Sequence, residues 1–353
     1  MGTSRLPRLK DVAKEANVSL TAASIILRNG KGRFQEATRE RVLEAARKLG
    51  WRRNLLVNGM QTGRTRTIGV LMPPINYYWA DVLFGIHHEL AQKDYLPVTV
   101  WSGATREFFY EKQPKDAGLE QINRLIDRRV DGLILWPPFA VTYYNHFSDL
   151  IDKNIQVVVI DSDFSEKVVD SVETDEELGG KLVAQHLINL GHRRIACLSS
   201  HEDLEDQAWA IRRRKYFEKA LSRCPDAACK VWQAASDSSD AADVARKLLQ
   251  DKPRPTAVFG ISDYEAANIY AAASALGLRI PEDLSVIGFS DLEFAQRMIP
   301  PLTTVRQRPR EIGQQAAKVM IDRLEGKIED KKPFTIRIKC DFITRDSTAR
   351  ANG

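Results

Sequence analysis

The stretch VSLTAASIILRNG, residues 18–30, offers hydroxyls, methyl-bearing side chains and a single cation. Its candidate contacts are Ser19, Leu20, Thr21, Ser24, Ile25 and Arg28, with no acid and, on the helical part, no Asn or Gln. Such groups can sense the C5-methyl of thymine, bond a base edge through Thr21, or meet a guanine or a phosphate through Arg28. Covalent chemistry has little support. GxSxG, GxGxxG and a P-loop are missing, since NGKGRF lacks the Gly-Lys-Ser/Thr ending. Cys197, Cys224, Cys229 and Cys340 lack metal-ligand spacing and read as free thiols. His87 and His88 are neighbours on a helix, so they point apart and make a poor metal pair.

The elements that carry the first set are short helices. In LKDVAKEA, Leu9, Val12, Ala13 and Ala16 recur at i, i+3, i+4 and i+7, one face of a helix. Asn17 and Val18 make a turn, and Ser19 suits the N-cap of the next helix. There Ala23, Ile26 and Leu27 share the inward face. Thr21, Ser24, Ile25 and Arg28 point away, and Leu20 lies at the edge. A third helix runs from about Glu36 to Leu49, burying Val42, Ala45, Ala46 and Leu49, with Gly50 as a left-handed C-cap. Three such helices describe a helix-turn-helix head.

Charge separates this head from the rest. Residues 1–66 hold 15 basic and 5 acidic residues, a net of +10. The remainder holds 37 basic and 42 acidic, a net of −5. A basic head on a mildly acidic body suits a polyanionic partner. At 353 residues the chain is long enough for two or three domains. MGTSRLPRLK leads into a charged segment, unlike a secretory leader, and no apolar run approaches the ~18 residues of a membrane span. A cytoplasmic protein with no membrane partner and no cofactor is expected. From Thr67 onward the runs TIGVLM, LPVTVW, DGLILW and VVVIDS, then RIACLS, TAVFGI and LSVIGF, alternate with amphipathic stretches. That pattern predicts parallel strands in α/β layers, in two similar subdomains with a ligand cleft between them.

The stretch LKDVAKEANVSLTAASIILRNGKGRFQEATRERVLEAARKLGWRRN closely resembles the DNA-binding domain of the lactose-repressor (LacI/GalR) family of bacterial transcription regulators. QTGRTRTIGVLMP, HLINLGHRRIACL, GLRIPEDLSVIGFSD, PPLTTVRQ and TRDSTA resemble further signatures of that family, in the expected order. The resemblance covers nearly the whole chain. It implies an all-α helix-turn-helix head (1–52), a hinge helix and linker (53–66), and an α/β body (67–353). The body would comprise two periplasmic-binding-protein-like subdomains with parallel sheets, the chain crossing between them near residues 162, 306 and 338.

Roles carried over from the family are as follows. The second helix enters the major groove and touches bases through Leu20, Thr21 and Ile25; the alternative is that Leu20 and Ile25 cover the head's own core. Ser24, Thr38 and Arg39 fall to phosphates. Asn54 begins the hinge helix, and Met60 is the side chain inserted into the minor groove. Around the cleft the matching positions are Tyr77, Tyr78, Trp79, Trp136, Asp161, Arg213, Ser262, Asp263, Ser290 and Asp291. The chain departs from the family at several of these places. Ser replaces Asn at 262 and Asp at 290, an aromatic position falls on Ala235, Arg53 stands where proline is usual, and NGKGRF carries one extra residue.

The expected protein is a repressor that binds a near-palindromic operator as a homodimer, is controlled by a small-molecule effector and regulates carbohydrate metabolism. It is not an enzyme. A regulator without an effector, or a solute-binding protein, are the alternatives. With the family's acid missing at Ser290, Arg213 favours an anionic effector such as a uronate or sugar phosphate. Asp161 and Asp263 could neutralise that arginine instead.

Gly59 lies inside the hinge segment, where it costs a helix about 1 kcal/mol relative to Ala. Gly59→Ala is expected to tighten operator binding by up to about that amount, and Met60→Ala to weaken it and reduce DNA bending. Gel-shift titrations check this; equal affinities for both variants and the parent would make the segment a plain linker.

Overall fold

The computed structural model describes residues 7–27, 34–52, 63–73, 77–102, 118–136, 140–161, 168–200, 208–234, 238–330 and 332–351. Arg28, Arg53, Asn54, Gly59, Met60 and Ala235 lie outside these residues. The chain divides into two compact units at Thr65 and Arg66.

The head contains α1 (Leu9–Glu15), α2 (Leu20–Leu27) and α3 (Glu36–Leu49). Its core is Val12, Ala13, Ala16, Ala23, Ile26, Val42, Ala45 and Ala46, with Leu9, Leu27 and Leu49 packed at the margin. Small alanines at the crossings let the three helices approach closely. The Ser19 hydroxyl accepts from the Ala22 amide at 3.1 Å, capping α2. Gly50 ends α3 in the left-handed region at φ 63°.

The body holds two six-stranded sheets. In the first, β1 (Thr67–Met72), β2 (Leu96–Trp101), β3 (Gly132–Leu135), β4 (Gln156–Ile160), β5 (Asp170–Thr174) and β11 (Thr335–Ile338) lie in the order β11-β5-β4-β3-β1-β2, all parallel. In the second, β6 (Arg194–Ser200), β7 (Ala228–Ala234), β8 (Ala257–Gly260), β9 (Ser285–Ser290), β10 (Thr303–Arg306) and β12 (Asp341–Ile343) lie in the order β12-β10-β9-β8-β6-β7. Only β12 runs antiparallel there, against β10. The seven apolar runs noted in the sequence all became strands. They are parallel and covered by helices, hence continuously apolar.

Helices α4 (Tyr77–Gln92), α5 (Leu119–Asp127), α6 (Ala140–Asp152) and α11 (Pro309–Leu324) clothe the first sheet, and α7 (Glu176–Asn189), α8 (Ala208–Leu221), α9 (Ser238–Gln250) and α10 (Asp263–Ala275) the second. The first passage between subdomains therefore lies after β5, at Asp175, well beyond the expected residue 162. The reason is β5 itself. Its charged sequence DSVET hides a buried strand of the first sheet. The later passages fall between Arg306 and Pro309 and between Ile338 and Asp341.

Several helices that feed strands end in a left-handed residue. The second subdomain uses Gly191 (φ 85°) and Gly277 (φ 67°), whereas the first uses Asp94 (φ 59°), Arg129 (φ 57°) and Asn154 (φ 60°). A Cβ in that region costs about 1 kcal/mol or more, least for Asn and Asp. Arg129→Gly is thus expected to raise the body's melting temperature by about 2 °C, and Gly277→Ala, whose added Cβ meets only open space, to lower it by a similar amount. Calorimetry tests the pair. A rise for neither glycine gain nor a fall for the glycine loss would show that these torsions are not limiting.

Candidate functional site

Two surfaces carry the candidate residues. On the head, Leu20 is 52 % exposed and Thr21 is exposed, while Ser24 and Ile25 are half-buried. Ala23 and Ile26 take the inward positions. Thr38 and Arg39 are half-buried on the first turn of α3, their amides bonded to the Gln35 carbonyl. The helix-turn-helix therefore leaves a face whose side chains are short, uncharged and partly apolar.

The second surface lies between the subdomains, at the carboxyl ends of the strands. Asp161 follows β4 at φ 48°. Its carboxylate accepts from the Thr174 amide at 3.0 Å and from the Tyr78 hydroxyl. Burial pushes its carboxyl up to about 6 despite these donors, and burial together with the Asp161 charge holds the Tyr78 phenol well above its ordinary value. Tyr77 is 63 % exposed at the start of α4.

The other two aromatics are core residues. Trp79 and Trp136 are buried in the first subdomain's core, rings 5.5 Å apart, and pack with residues such as Ile312 and Ala316 of α11. Their place as flat faces for a ligand is corrected accordingly.

Arg213 is also not what its sequence context suggested. It is 2 % exposed, and its Nε and Nη2 donate to the two Glu176 oxygens, each at 2.8 Å. Nη1 donates to the Ile261 carbonyl at 2.7 Å, and the guanidinium lies 3.5 Å from the Phe289 ring centroid. Its hydrogen-bonded acid is Glu176 rather than Asp161 or Asp263, so the guanidinium is already paired and the charge argument for an anionic effector falls.

Ser262 and Asp263 are likewise engaged inside the second subdomain. Ser262 is the N-cap of α10, accepting from the Tyr264 amide at 3.1 Å, in a capping box with Glu265. Asp263 is fully buried and accepts from the Leu292 amide and the Thr304 hydroxyl, both at 2.6 Å. Burial raises its carboxyl to about 6 as well. Asp291 bridges Arg306 at 2.6 Å and Arg345 at 2.7 Å. Ser290 donates to Gln307 at 2.9 Å, and Gln307 donates on to the Thr174 hydroxyl at 2.9 Å.

Sequence reasoning missed Glu176, Thr174 and Gln307. Glu176 follows the N-cap aspartate of α7, where an acid usually answers the helix dipole, so nothing marked it as a partner for a distant arginine. Gln307 ends the stretch PPLTTVRQ, and nothing in that stretch marks it as a link between subdomains. His87 bonds Thr99 and His88 bonds Gln92, and among the described residues no group of three or more metal-binding side chains is found. No described helix is long and apolar enough to cross a membrane.

Residues 8–54 match bacterial regulatory proteins of the lacI family, and residues 184–348 match the periplasmic binding protein-like domain. The chain is 31 % identical over 345 residues to the HTH-type transcriptional repressor PurR of Vibrio cholerae, covering 96 % of this chain and 97 % of that one. The PurR of Vibrio vulnificus is 30 % identical over 350 residues, with 98 % and 99 % covered. The lac repressor dimer bound to operator and the anti-inducer ONPF shares the fold at a TM-score of 0.85 and 23 % identity, covering 98 % and 100 %. A regulator from Enterococcus faecium with bound ribose aligns at TM-score 0.66 and 27 % identity over 81 % of this chain and 100 % of its own. A DNA-binding head joined to a two-subdomain α/β body defines a bacterial transcription regulator. This chain belongs to the lactose-repressor (LacI/GalR) family.

The raised carboxyl at Asp161 has a stability consequence. The folded state holds the proton more tightly than the unfolded chain, so the contribution is full below about pH 4 and is lost as pH rises through about 6. Asp161→Asn, which mimics the protonated form, is expected to match the wild type near pH 4 and to melt higher than it at pH 7.5. Melting curves across that range check it, and a difference that shrinks with rising pH would contradict the assignment.

Proposed function

We propose that this regulator is a repressor that binds a near-palindromic operator as a homodimer, with α2 reading the major groove through Leu20, Thr21 and Ile25. The exposed Leu20 and Thr21, on a helix whose opposite side is the head core, carry this reading. Ser19, Ser24, Thr38 and Arg39, with Arg28, supply phosphate contacts that set register. Asn54 and Met60 serve the hinge helix. Sequence preference then comes from methyl contacts and DNA shape, since no amide or acid is available on α2.

The effector in this reading is an uncharged small molecule held in the cleft near Tyr77, Tyr78, Asp161 and Ser290. Arg213, the arginine that favoured an anion, is neutralised by a buried carboxylate. A purine base agrees with the relatives named PurR, and a neutral sugar agrees with the ribose held by the Enterococcus faecium relative. Purine rather than carbohydrate metabolism is then the alternative regulatory target.

Selection of DNA by the purified protein, followed by sequencing, tests the first part. Ile25→Arg is expected to change the preferred half-site base while leaving the head's melting curve nearly unchanged. An unfolded head would instead mean that Ile25 belongs to the core. Calorimetric titration with guanine, hypoxanthine, ribose and ribose 5-phosphate tests the second part. A neutral ligand is expected to bind; saturable binding of the phosphate alone would reverse the conclusion about charge.

A further inference from the structure

One buried side chain joins the two subdomains by hydrogen bonds in both directions. Gln307 lies on the second passage of the chain, between β10 and α11, and is 7 % exposed. Its carbonyl oxygen accepts from the Ser290 hydroxyl, at the end of β9 in the second subdomain. Its amide donates to the Thr174 hydroxyl, at the end of β5 in the first. The amide's two ends are thus assigned opposite roles by opposite subdomains. On the first subdomain's side of the cleft, Tyr78 donates to Asp161, whose carboxylate also accepts from the Thr174 amide. Thr174 is buried, whereas Tyr78 and Ser290 are half-buried at the two cleft walls. The Ser290 end is therefore within reach of a molecule in the cleft, and the Gln307–Thr174 link is shielded from water.

The shielding matters for energetics. Buried hydrogen-bonding groups that lose a partner have no water to replace it, so breaking one link costs more than the link is worth on a surface. A rotation of one subdomain on the other would have to part Gln307 from Ser290 or from Thr174. A second link between subdomains, Arg212 of α8 with Glu173 of β5, is longer at 3.7 Å.

Resting on the regulator reading above, we infer that Gln307 is a positioning residue: it holds the subdomains in the arrangement that binds operator, and effector contacts at Ser290 act by loosening it. Without the relay the body samples more arrangements. The competent one is then a smaller fraction, and operator affinity falls by that fraction.

The test uses the full-length protein and the operator selected with the wild type, with no effector. Gln307→Met keeps the length and volume but removes both links, and should weaken operator binding about five- to tenfold. Thr174→Val should give a comparable loss, while Thr174→Ser, which keeps the hydroxyl, should bind as the wild type does. The double variant Thr174→Val/Gln307→Met should bind no worse than Gln307→Met, because both substitutions break one relay. Wild-type affinity in Gln307→Met and Thr174→Val, tighter binding, or losses that multiply in the double variant would overturn the inference. Should Gln307→Met fail to fold, Ser290→Ala removes a single link at the half-buried end. A loss of a few fold is expected there, and no loss overturns the inference. Failure of the wild type to select any DNA is the separate failure of the regulator reading.

Discussion

The contact between α4 and α11 fixes the geometry on which both cleft walls depend. The two helices meet through Gly85 and Gly313. A Cβ at Gly85 would overlap the Arg310 carbonyl, and one at Gly313 would overlap the Val82 carbonyl. The backbones therefore touch without intervening side chains. α4 begins with Tyr77 and Tyr78, and α11 begins directly after the passage that holds Gln307. Because neither helix can slide without a backbone clash, the tyrosine of the cleft wall and the glutamine of the passage are held at a fixed separation. Trp79 of α4 and Trp136 at the end of β3 complete this core, which explains why they are packing residues despite their place beside the cleft.

Buried charge is handled by dedicated pairs near the passages. Asp170 of β5 takes Arg323 in two bonds of 2.7 and 2.9 Å, Glu176 takes Arg213, and Asp291 takes Arg345. Such pairs contribute little net stability relative to apolar packing, but losing one partner leaves an uncompensated charge and costs several kcal/mol. Their effect is directional: they specify which strand and which helix meet. Glu173 binds Arg337 within its own subdomain and Arg212 across the boundary, so the carboxylates of one short strand organise both sides of the first passage.

Much of this architecture was legible in the sequence. The head followed from Val12, Ala13, Ala23 and Ile26 at helical spacing and from Ser19 and Gly50 at helix ends. The seven apolar strands followed from their unbroken hydrophobicity. What was hidden shares one cause. Strand β5 is buried yet carries Asp170 and Glu173, whose arginine partners lie more than a hundred residues away along the chain or on another helix. Periodicity reports whether a residue is apolar; it cannot report that a charge has a distant partner. The same blindness placed the first passage too early and left Arg213 looking unpaired. Arg213 and Glu176 lie on α8 and α7, adjacent in space but joined only by the fold.

Serine at 290 becomes intelligible once Gln307 is included. A carboxylate at that position could only accept, and the Gln307 amide would have to turn its nitrogen toward it. Its oxygen would then face Thr174. With Ser290 as donor, the amide keeps its oxygen toward the second subdomain and its nitrogen toward the first, and each group in the path has one defined role. The acid that pairs the arginine is Glu176, at the start of α7, where Phe289 covers the pair. The cleft wall at Ser290 thereby becomes uncharged without leaving Arg213 unpaired in the interior. The uncharged wall at Ser290 thus stands on two supports behind it, the Glu176 carboxylate that pairs Arg213 and the Gln307 amide that accepts from the serine.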